Sequence, residues 1–138
     1  MEATVLLCDY AAVAEGKLFI SGGGWDLLRP TAGPTALAVL VKVAWGETNR
    51  RTPLRICLVD DDGNAVTQPG PSGDPVVLEV TVTFEVGRPP GLKQGSDVSM
   101  PMAVPIGPMS LQPDRGYEWR VEVAGVTVGK AAFRTFPS

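Results

Sequence analysis

Hydrophobic and polar residues alternate along several stretches of this chain, which is the pattern of a β-strand with one buried face. In residues 78–86 every second residue is Leu, Val or Phe, and the residues between them are Glu or Thr. Residues 117–123 repeat the pattern, with Tyr117 and Trp119 on the apolar face. In residues 35–45 the second face is only half polar, so we expect this strand to be covered on both sides.

The same alternation predicts nine strands, over residues 3–9, 17–21, 25–29, 35–45, 53–60, 76–86, 100–106, 117–123 and 126–136. Hairpin turns are predicted at Glu15-Gly16, Asp62-Gly63-Asn64 and Ala124-Gly125, whose residues tolerate positive φ. The 16 Gly and 13 Pro residues interrupt any long helix. We therefore predict one domain over residues 1–138, an all-β, antiparallel, immunoglobulin-like β-sandwich of about eight to nine strands.

Histidine is absent from the chain, which narrows the chemistry available to it. Ser-His-Asp and Cys-His catalysis cannot be assembled in their usual form, and the usual zinc ligand sets fail with two cysteines alone. We therefore expect no enzyme, no cofactor and no metal. The acidic turn Asp60-Asp61-Asp62-Gly63-Asn64 fails as an EF-type calcium loop, because Ala65 and Pro71 stand where glycine and glutamate are needed. A weaker calcium loop and a solvated hairpin tip remain, and the tip is the commoner case.

Charge and hydropathy disfavour two classes of partner. The net charge is −3 and Arg50-Arg51 is the only adjacent basic pair, so we expect no nucleic-acid partner. No segment approaches the length of a membrane span, and the N-terminal residues lack the features of a signal peptide. The expected location is therefore the cytoplasm. There Cys8 and Cys57 are expected to be reduced and buried, although they pair if their strands are neighbours.

The stretch Ser21–Asp26 reads S-G-G-G-W-D and resembles a cofactor loop at first sight. A dinucleotide fingerprint needs a third spaced glycine and a following helix, and Pro30 leaves no room for that helix. Gly22, Gly23 and Gly24 therefore predict a bulge or bend between two strands.

A few polar and aromatic residues are candidates for a surface that binds a partner or a ligand. Asp9 and Tyr10 supply a carboxylate and a phenol, although an aspartate at a strand end more often bonds turn amides. Trp119 and Trp45 lie in register with core residues, whereas Trp25 either packs or binds. Residues 87–99 are predicted to form a polar loop that is long for a compact domain, and loops of this length are usually either functional or disordered. The candidate surface comprises Asp9, Tyr10, Trp25, Asp26, Arg88 and Lys93.

Two resemblances add to this interpretation. Leu111, Pro113 and Tyr117, entering an alternating strand, resemble the tyrosine corner of fibronectin type III domains, in which the Tyr hydroxyl bonds back to the loop backbone. The run from Cys8-Asp9-Tyr10 through Gly16-Lys17-Leu18 to Gly22-Gly23-Gly24-Trp25 is similar to the start of a widespread family of small bacterial proteins of unknown function. That resemblance implies no site and no activity, and it extends over nearly the whole chain.

The leading hypothesis is a non-catalytic cytoplasmic module for protein interaction or structure, with self-association through the half-apolar face of residues 35–45. The alternative is a sandwich that binds or transforms a sugar or small anion in a pocket near Asp9 and Trp25. A component of a phage or secretion apparatus is a third class. Fold alone does not separate them.

Overall fold

The computed structural model describes residues 1–138, which form fourteen β-strands and no α-helix. The first seven strands are β1 (Glu2–Cys8), β2 (Tyr10–Ala14), β3 (Lys17–Ser21), β4 (Leu27–Leu28), β5 (Thr31–Ala32), β6 (Thr35–Val43) and β7 (Arg51–Asp60). The other seven are β8 (Thr67–Pro69), β9 (Pro75–Val77), β10 (Glu79–Glu85), β11 (Val98–Ile106), β12 (Met109–Ser110), β13 (Gly116–Val123) and β14 (Val126–Thr135). A single 3₁₀ turn follows β6, at Trp45–Glu47.

Two sheets face each other across one apolar core. The smaller sheet has the strand order β1-β6-β11, and the larger has the order β10-β7-β13-β14-β4. All their neighbouring strands are antiparallel except β14 and β4, which run parallel and make the larger sheet mixed. The remaining strands form the two-stranded pairs β2-β3, β5-β12 and β8-β9. The all-β, antiparallel prediction is thus confirmed in outline, with one parallel pair and more strands than expected.

The core is built from the inward-facing residues of the alternating strands, as the sequence pattern predicts. Strand β6 contributes Leu37, Val39, Val41 and Val43, and each is at most 1% exposed. The larger sheet contributes Leu54, Ile56, Leu58, Tyr117, Trp119, Val121 and Phe133. Because these side chains come from both sheets and form one cluster, the sheets stabilise each other by burying apolar surface.

The predicted turns and most of the longer strands are confirmed. Glu15-Gly16 and Ala124-Gly125 have positive φ at both residues, as two-residue hairpin turns of type I′ require. Gly63 has a φ of 78°, and its N–H donates to the carbonyl of Asp60, 3.0 Å away. Strand β10 has its Val and Phe residues half-buried and its Glu and Thr residues exposed, as the pattern of 78–86 predicts.

Some strand boundaries differ from the prediction. Strand β6 ends at Val43, and Trp45 lies half-buried in the 3₁₀ turn instead of continuing the core face. There the guanidinium of Arg88 lies 3.8 Å from the centre of the Trp45 ring. The predicted strand 76–86 is divided at Leu78, whose N–H donates to Val66 and whose carbonyl accepts from Leu58. Strand β2 was not predicted, although its partner β3 was.

The edge strands of the two sheets hinder pairing with a further strand in different ways. Strand β11 is an edge strand and carries Pro101 and Pro105, which have no N–H to donate to another strand. Strand β10 is the other long edge and begins and ends with Glu79 and Glu85. Strand β1 approaches β14 so closely that a side chain at Gly129 would overlap the carbonyl of Ala3.

Tyr117 forms a hydrogen bond back to its preceding loop, which is the bond that the resemblance to a tyrosine corner implies. Its hydroxyl oxygen accepts the backbone N–H of Gln112 at 2.8 Å, and its ring stacks on Phe133 with centroids 5.7 Å apart. The hydroxyl therefore ties the loop after β12 to the core face of β13.

We predict that Tyr117→Phe destabilises the protein by about 1 kcal/mol, because the Gln112 N–H loses a partner in a partly buried position while the ring is kept. Urea unfolding monitored by circular dichroism measures the change. Tyr10→Phe is the matched control, since Tyr10 is 62% exposed and makes no hydrogen bond through its hydroxyl. Equal stabilities for the two variants would contradict this role.

Candidate functional site

The β2-β3 hairpin folds over the outer face of the smaller sheet. Its register pairs Ala11 with Ile20 and Val13 with Leu18, so these four side chains share one face of the hairpin. Ala11 and Leu18 on that face pack against Cys8, Ala36 and Ala38, all of which are buried. The second face of β6 is therefore covered by the chain itself at Ala36 and Ala38, as its half-apolar pattern predicts.

Covering the sheet leaves a cluster of apolar side chains exposed on and beside the hairpin. Tyr10 and Phe19 lie on the outward face, 62% and 54% exposed. Val13 and Ile20 on the inward face, and Leu6 on the neighbouring outer face of β1, stay 37–43% exposed. We call the set Leu6, Tyr10, Val13, Phe19 and Ile20 the hairpin patch. Tyr10 and Phe19 leave apolar surface open on the outward face, and exposed apolar patches often mark interaction sites on soluble proteins.

The outer face of the larger sheet has the opposite character. Arg55 bridges two carboxylates across three strands, with its Nε 2.6 Å from Glu79 and its Nη1 2.5 Å from Glu122. Arg120 pairs with Glu118 at 2.6 Å on the same face. The charged side chains of this face thus satisfy one another, whereas the hairpin patch has no partner within the chain.

Asp9 supports the glycine bend and does not face a pocket with Trp25. The Asp9 N–H donates to the carbonyls of Ser21 and Gly22, both at 3.1 Å. Its carboxylate fills the space in which a side chain at Gly22 would lie. A side chain at Gly23 would come within 2.9 Å of Ile20 and 3.1 Å of Leu6. The three glycines therefore form the bend that the sequence predicts, and they keep the hairpin base close to the sheet.

The three tryptophans occupy three separate settings and form no stacking platform. Trp25 is half-buried and meets Phe133 edge-to-face, with centroids 5.8 Å apart and an angle of 77°. Trp119 lies in the core, 2% exposed. Trp45 lies under the Arg88 guanidinium. Trp25 thus packs against the edge of the core.

The long loop after β10 is anchored at its start. Arg88 donates from Nε to the Thr48 hydroxyl and from Nη2 to the Trp45 carbonyl, both at 2.7 Å. These two bonds and the cation–π contact hold the guanidinium against the 3₁₀ turn. Lys93 lies further along the loop, exposed and without an ion pair. Of the predicted candidate surface, only Asp9 and Tyr10 adjoin the hairpin patch.

Asp26 lines a cavity of about 660 Å³ at the end of the larger sheet. Leu27, Tyr117 and Phe133 supply apolar and aromatic walls, and charged residues supply the rest, namely Asp60, Asp61, Glu118, Arg120 and Arg134. Of these residues, the sequence analysis named Asp26 in the candidate surface and Asp60 and Asp61 in the calcium-loop alternative, and it named none of the others as part of a binding site. Neither Asp9 nor Trp25 lines the cavity, so it is not the pocket that the sequence predicted near those two residues.

The acidic turn uses its carboxylates within the chain. Asp60 Oδ1 accepts the N–H groups of Asp62 and Asn64, and Asp60 Oδ2 pairs with Arg115 at 3.2 Å. Asp61 accepts the Gly116 N–H at 3.0 Å, and Asp62 pairs with Arg115 at 3.1 Å. This arrangement is that of a hairpin tip with internal hydrogen bonds, and Asp60, Asp61 and Asp62 converge on no common centre.

Cys8 and Cys57 are both free and buried, on opposite sides of the molecule. Cys8 Sγ lies under the hairpin, 3.4 Å from the Ala36 carbonyl, and Cys57 Sγ lies on the charged face, 3.2 Å from Arg55 Nη1. The interpretation as two unpaired thiols is therefore confirmed. Burial raises the pKa of both thiols, and the charge of Asp9 adds to the rise at Cys8, while Arg55 opposes it at Cys57.

We predict that Gly22→Ala lowers the free energy of unfolding by about 2 kcal/mol, because its φ of +61° is strained for alanine and the new Cβ meets the Asp9 carboxylate. Gly33→Ala is the control, since Gly33 has open space around it and no positive φ. Adding Asp9→Ala to Gly22→Ala should recover the steric part of the loss. Similar urea midpoints for the Gly22 and Gly33 variants would refute the constraint.

We predict that iodoacetamide labels both cysteines slowly in the folded protein at neutral pH, because burial excludes the reagent and raises the pKa of each thiol. Both should label fully after unfolding without reductant. Above the ordinary thiol pKa of about 8.5 the unfolded chain ionises first, so stability should fall as pH rises through that region. Mass spectrometry counts the labels, and one unlabelled pair in the unfolded, unreduced protein would contradict the free thiols.

The chain matches a known protein family over most of its length. A family described only as a family of unknown function, DUF6941, matches residues 3–135 of the chain. No curated protein matches it. Nor does any helix in the structure have the length and apolar character required to cross a membrane.

Proposed function

We propose that this chain, which belongs to the DUF6941 family of unknown function, is a non-catalytic protein-interaction or structural module that binds through the hairpin patch. The observation that carries the proposal is the exposure of Tyr10 and Phe19 on the outward face of a hairpin whose other face packs against the smaller sheet. We place the module in the cytoplasm, where two free buried thiols are stable.

The surfaces expected from the sequence, namely the second face of residues 35–45, a sheet edge and the long loops, offer less. The second face, through which self-association was expected, is covered by the hairpin at Ala36 and Ala38. Addition of a strand at β11 is hindered by Pro101 and Pro105, and β10 has a glutamate at each end. The 87–99 loop has its first arginine committed to Trp45 and Thr48. The hairpin patch is therefore the stronger candidate, because it holds five of the ten exposed large apolar side chains.

The chemistry of the chain supports a role without catalysis. Histidine is absent, and the raised thiol pKa values keep Cys8 and Cys57 protonated at neutral pH, where they are poor nucleophiles. The carboxylates near the cavity are engaged with backbone N–H groups or arginines in three of four cases, at Asp60, Asp61 and Glu118. We interpret these as structural interactions.

The stacked sheets support an immunoglobulin-like sandwich as the finer description of the fold. Both sheets share one core, and the Tyr117 hydroxyl bonds back to its loop as in a tyrosine corner. Sandwiches of this kind recur as components of larger assemblies, including phage and secretion apparatus, and such a component would use the same patch.

A ligand-binding role is the second candidate, and the cavity is the observation that favours it. Its volume of about 660 Å³ lies within the range of small-molecule sites. Asp26 has no ion-pair partner there, which favours a ligand with a cationic group over the sugar or anion first expected. The hairpin patch remains the stronger basis, because its aromatic side chains are exposed without any internal role.

We predict that a photo-crosslinking residue placed at Phe19 forms protein adducts in an extract of the native host, because Phe19 lies midway along the outward face of the hairpin and is 54% exposed. The same residue at Lys130 is the control, since Lys130 is exposed on the charged face. Adducts are detected by gel shift and mass spectrometry. Equal yields at both positions, or no adduct at Phe19, would refute the proposal.

A further inference from the structure

We propose that strand β10 (Glu79–Glu85) accepts an extended segment of a partner protein as an added strand of the larger sheet, with a Lys or Arg of that segment opposite Glu79. Strand β10 belongs to the other sheet from the one that the hairpin covers, so the inference goes beyond the proposed function. It follows from the backbone groups that β10 leaves open, from the side chains on its two faces, and from a row of charges that ends at Glu79.

Alternate residues of β10 direct their backbone groups away from the sheet. The Leu58 N–H donates to the carbonyl of Leu78, so this pair is hydrogen-bonded, and the unbroken register of β10 with β7 continues the alternation along the strand. The even-numbered residues of β10 therefore bond to β7. Pro53 lies opposite Thr83 and has no N–H, as a residue of a non-bonded pair allows. The odd-numbered residues present their N–H and C=O groups at the open edge, and these are Glu79, Thr81, Thr83 and Glu85.

Apart from its two glutamates, β10 lacks the features by which an edge strand excludes a further strand. The other edge, β11, carries Pro101 and Pro105, whereas β10 has neither a proline nor a bulge over its seven residues. No turn or loop of the chain bonds to the outward backbone groups of β10. Because these N–H and C=O groups alternate along a line, an extended segment is the ligand that satisfies them together.

The side chains of β10 determine the residue pattern of the added segment. On the core side Val80, Val82 and Phe84 pack against the core but stay half-buried, since no strand lies beyond them in the sheet. Apolar residues at alternate positions of the segment would extend the core over these three side chains. On the outer side Thr81 and Thr83 are exposed, and polar β-branched side chains pair well with threonine across neighbouring strands.

A row of alternating charges on the outer face of the larger sheet ends at the open edge. Arg55 Nη1 lies 2.5 Å from Glu122 Oε1 on β13, and Arg55 Nε lies 2.6 Å from Glu79 Oε2 on β10. One arginine thus serves two carboxylates, and the neighbouring Arg120 pairs with Glu118 instead. A Lys or Arg opposite Glu79 on an added strand would continue the alternation and balance the row.

The glutamates of β10 oppose a second copy of the chain as the added strand. Two β10 strands paired antiparallel about Val82 would use every outward backbone group, but Glu79 of each copy would lie opposite Glu85 of the other. Like charges directly opposite each other on neighbouring strands are destabilising. Within the chain Glu85 lies opposite Arg51 on β7, so the requirement for a basic residue falls on Glu79. The occupant is therefore a segment of another protein.

Hydrogen exchange resolved by NMR on the purified chain tests the open edge. The amides of Thr81 and Thr83 should exchange fast, whereas those of Val80 and Val82 should be protected. The probe for the partner is a library of peptides of the length of β10, displayed on phage. Selected peptides should alternate apolar and polar residues and carry one Lys or Arg near one end. A synthetic peptide of the selected sequence should slow exchange at Thr81 and Thr83.

Two variants test the contacts separately. Thr83→Pro removes an outward N–H and places a ring in the path of the segment, so it should weaken peptide binding about tenfold or more, and Thr83→Ala is the matched control that keeps the N–H. Selection on Glu79→Gln, in which Arg55 keeps Glu122, should lose the preference for a basic residue and keep the alternation. Circular dichroism checks the fold of each variant, and exchange in the unmodified chain tests the edge independently if Thr83→Pro does not fold.

Several results would overturn the inference. One is protection of Thr81 and Thr83 in the free chain at low concentration, and another is a selection that yields no peptide or peptides that bind Thr83→Pro equally well. A basic preference that survives in Glu79→Gln would contradict the charge contact. Protection of Thr81 and Thr83 that rises with protein concentration alone would identify a second copy as the occupant. None of these results bears on adducts formed at Phe19, so the proposed function is tested separately.

Discussion

The structure depends on the burial of strand β6 (Thr35–Val43) on both of its faces. On one face Leu37, Val39, Val41 and Val43 join the core that the two sheets share. On the other face Ala36 and Ala38 are small enough for a second layer to lie directly on them, and the β2-β3 hairpin supplies that layer. Larger side chains there would hold the hairpin away from the sheet, and polar ones would be buried without partners.

This constraint also explains why the molecule has two unlike outer surfaces. The larger sheet needs no second layer, so its outer face carries charges that pair with each other, such as Arg55 with Glu79 and Glu122. The smaller sheet is covered by a hairpin of only two strands, which can bury one face. Its other face, with Tyr10 and Phe19, is left to solvent or to a partner. The exposed apolar surface of the hairpin, on which the proposed function rests, is thus a direct consequence of how β6 is covered.

Much of the fold follows from local patterns in the sequence. Strict alternation located β10 and β13, and the half-apolar second face of β6 correctly indicated a strand covered on both sides. Strands of two or three residues such as β5, β8 and β12 have no periodicity to detect. Trp45 lies outside the strand predicted for it, in a 3₁₀ turn where it contacts Arg88, a residue far along the chain that no local pattern links to it.

The candidate site was less predictable, because it is assembled by tertiary contacts. Asp9 and Trp25 are near in sequence, yet Trp25 turns into the core against Phe133, which lies more than a hundred residues away. Phe19 was read as part of an apolar run in a strand. Phe19 is exposed because the hairpin lies over the smaller sheet with its other face inward. The apolar run Leu18-Phe19-Ile20 gives a hint of this, because successive side chains of a strand point to opposite faces and a two-stranded hairpin can bury only one of them. The cavity collects residues from four separate segments, which no local motif links.

The most direct measurement of the central claim is the free energy of unfolding of two variants on the same face of β6, measured by urea unfolding of the purified chain. Ala38 is 2% exposed beneath the hairpin, so Ala38→Asp should lower the free energy of unfolding by about 2 kcal/mol or more, whereas Lys42→Asp, at an exposed position, should change it little. Equal urea midpoints for the two variants would contradict the claim.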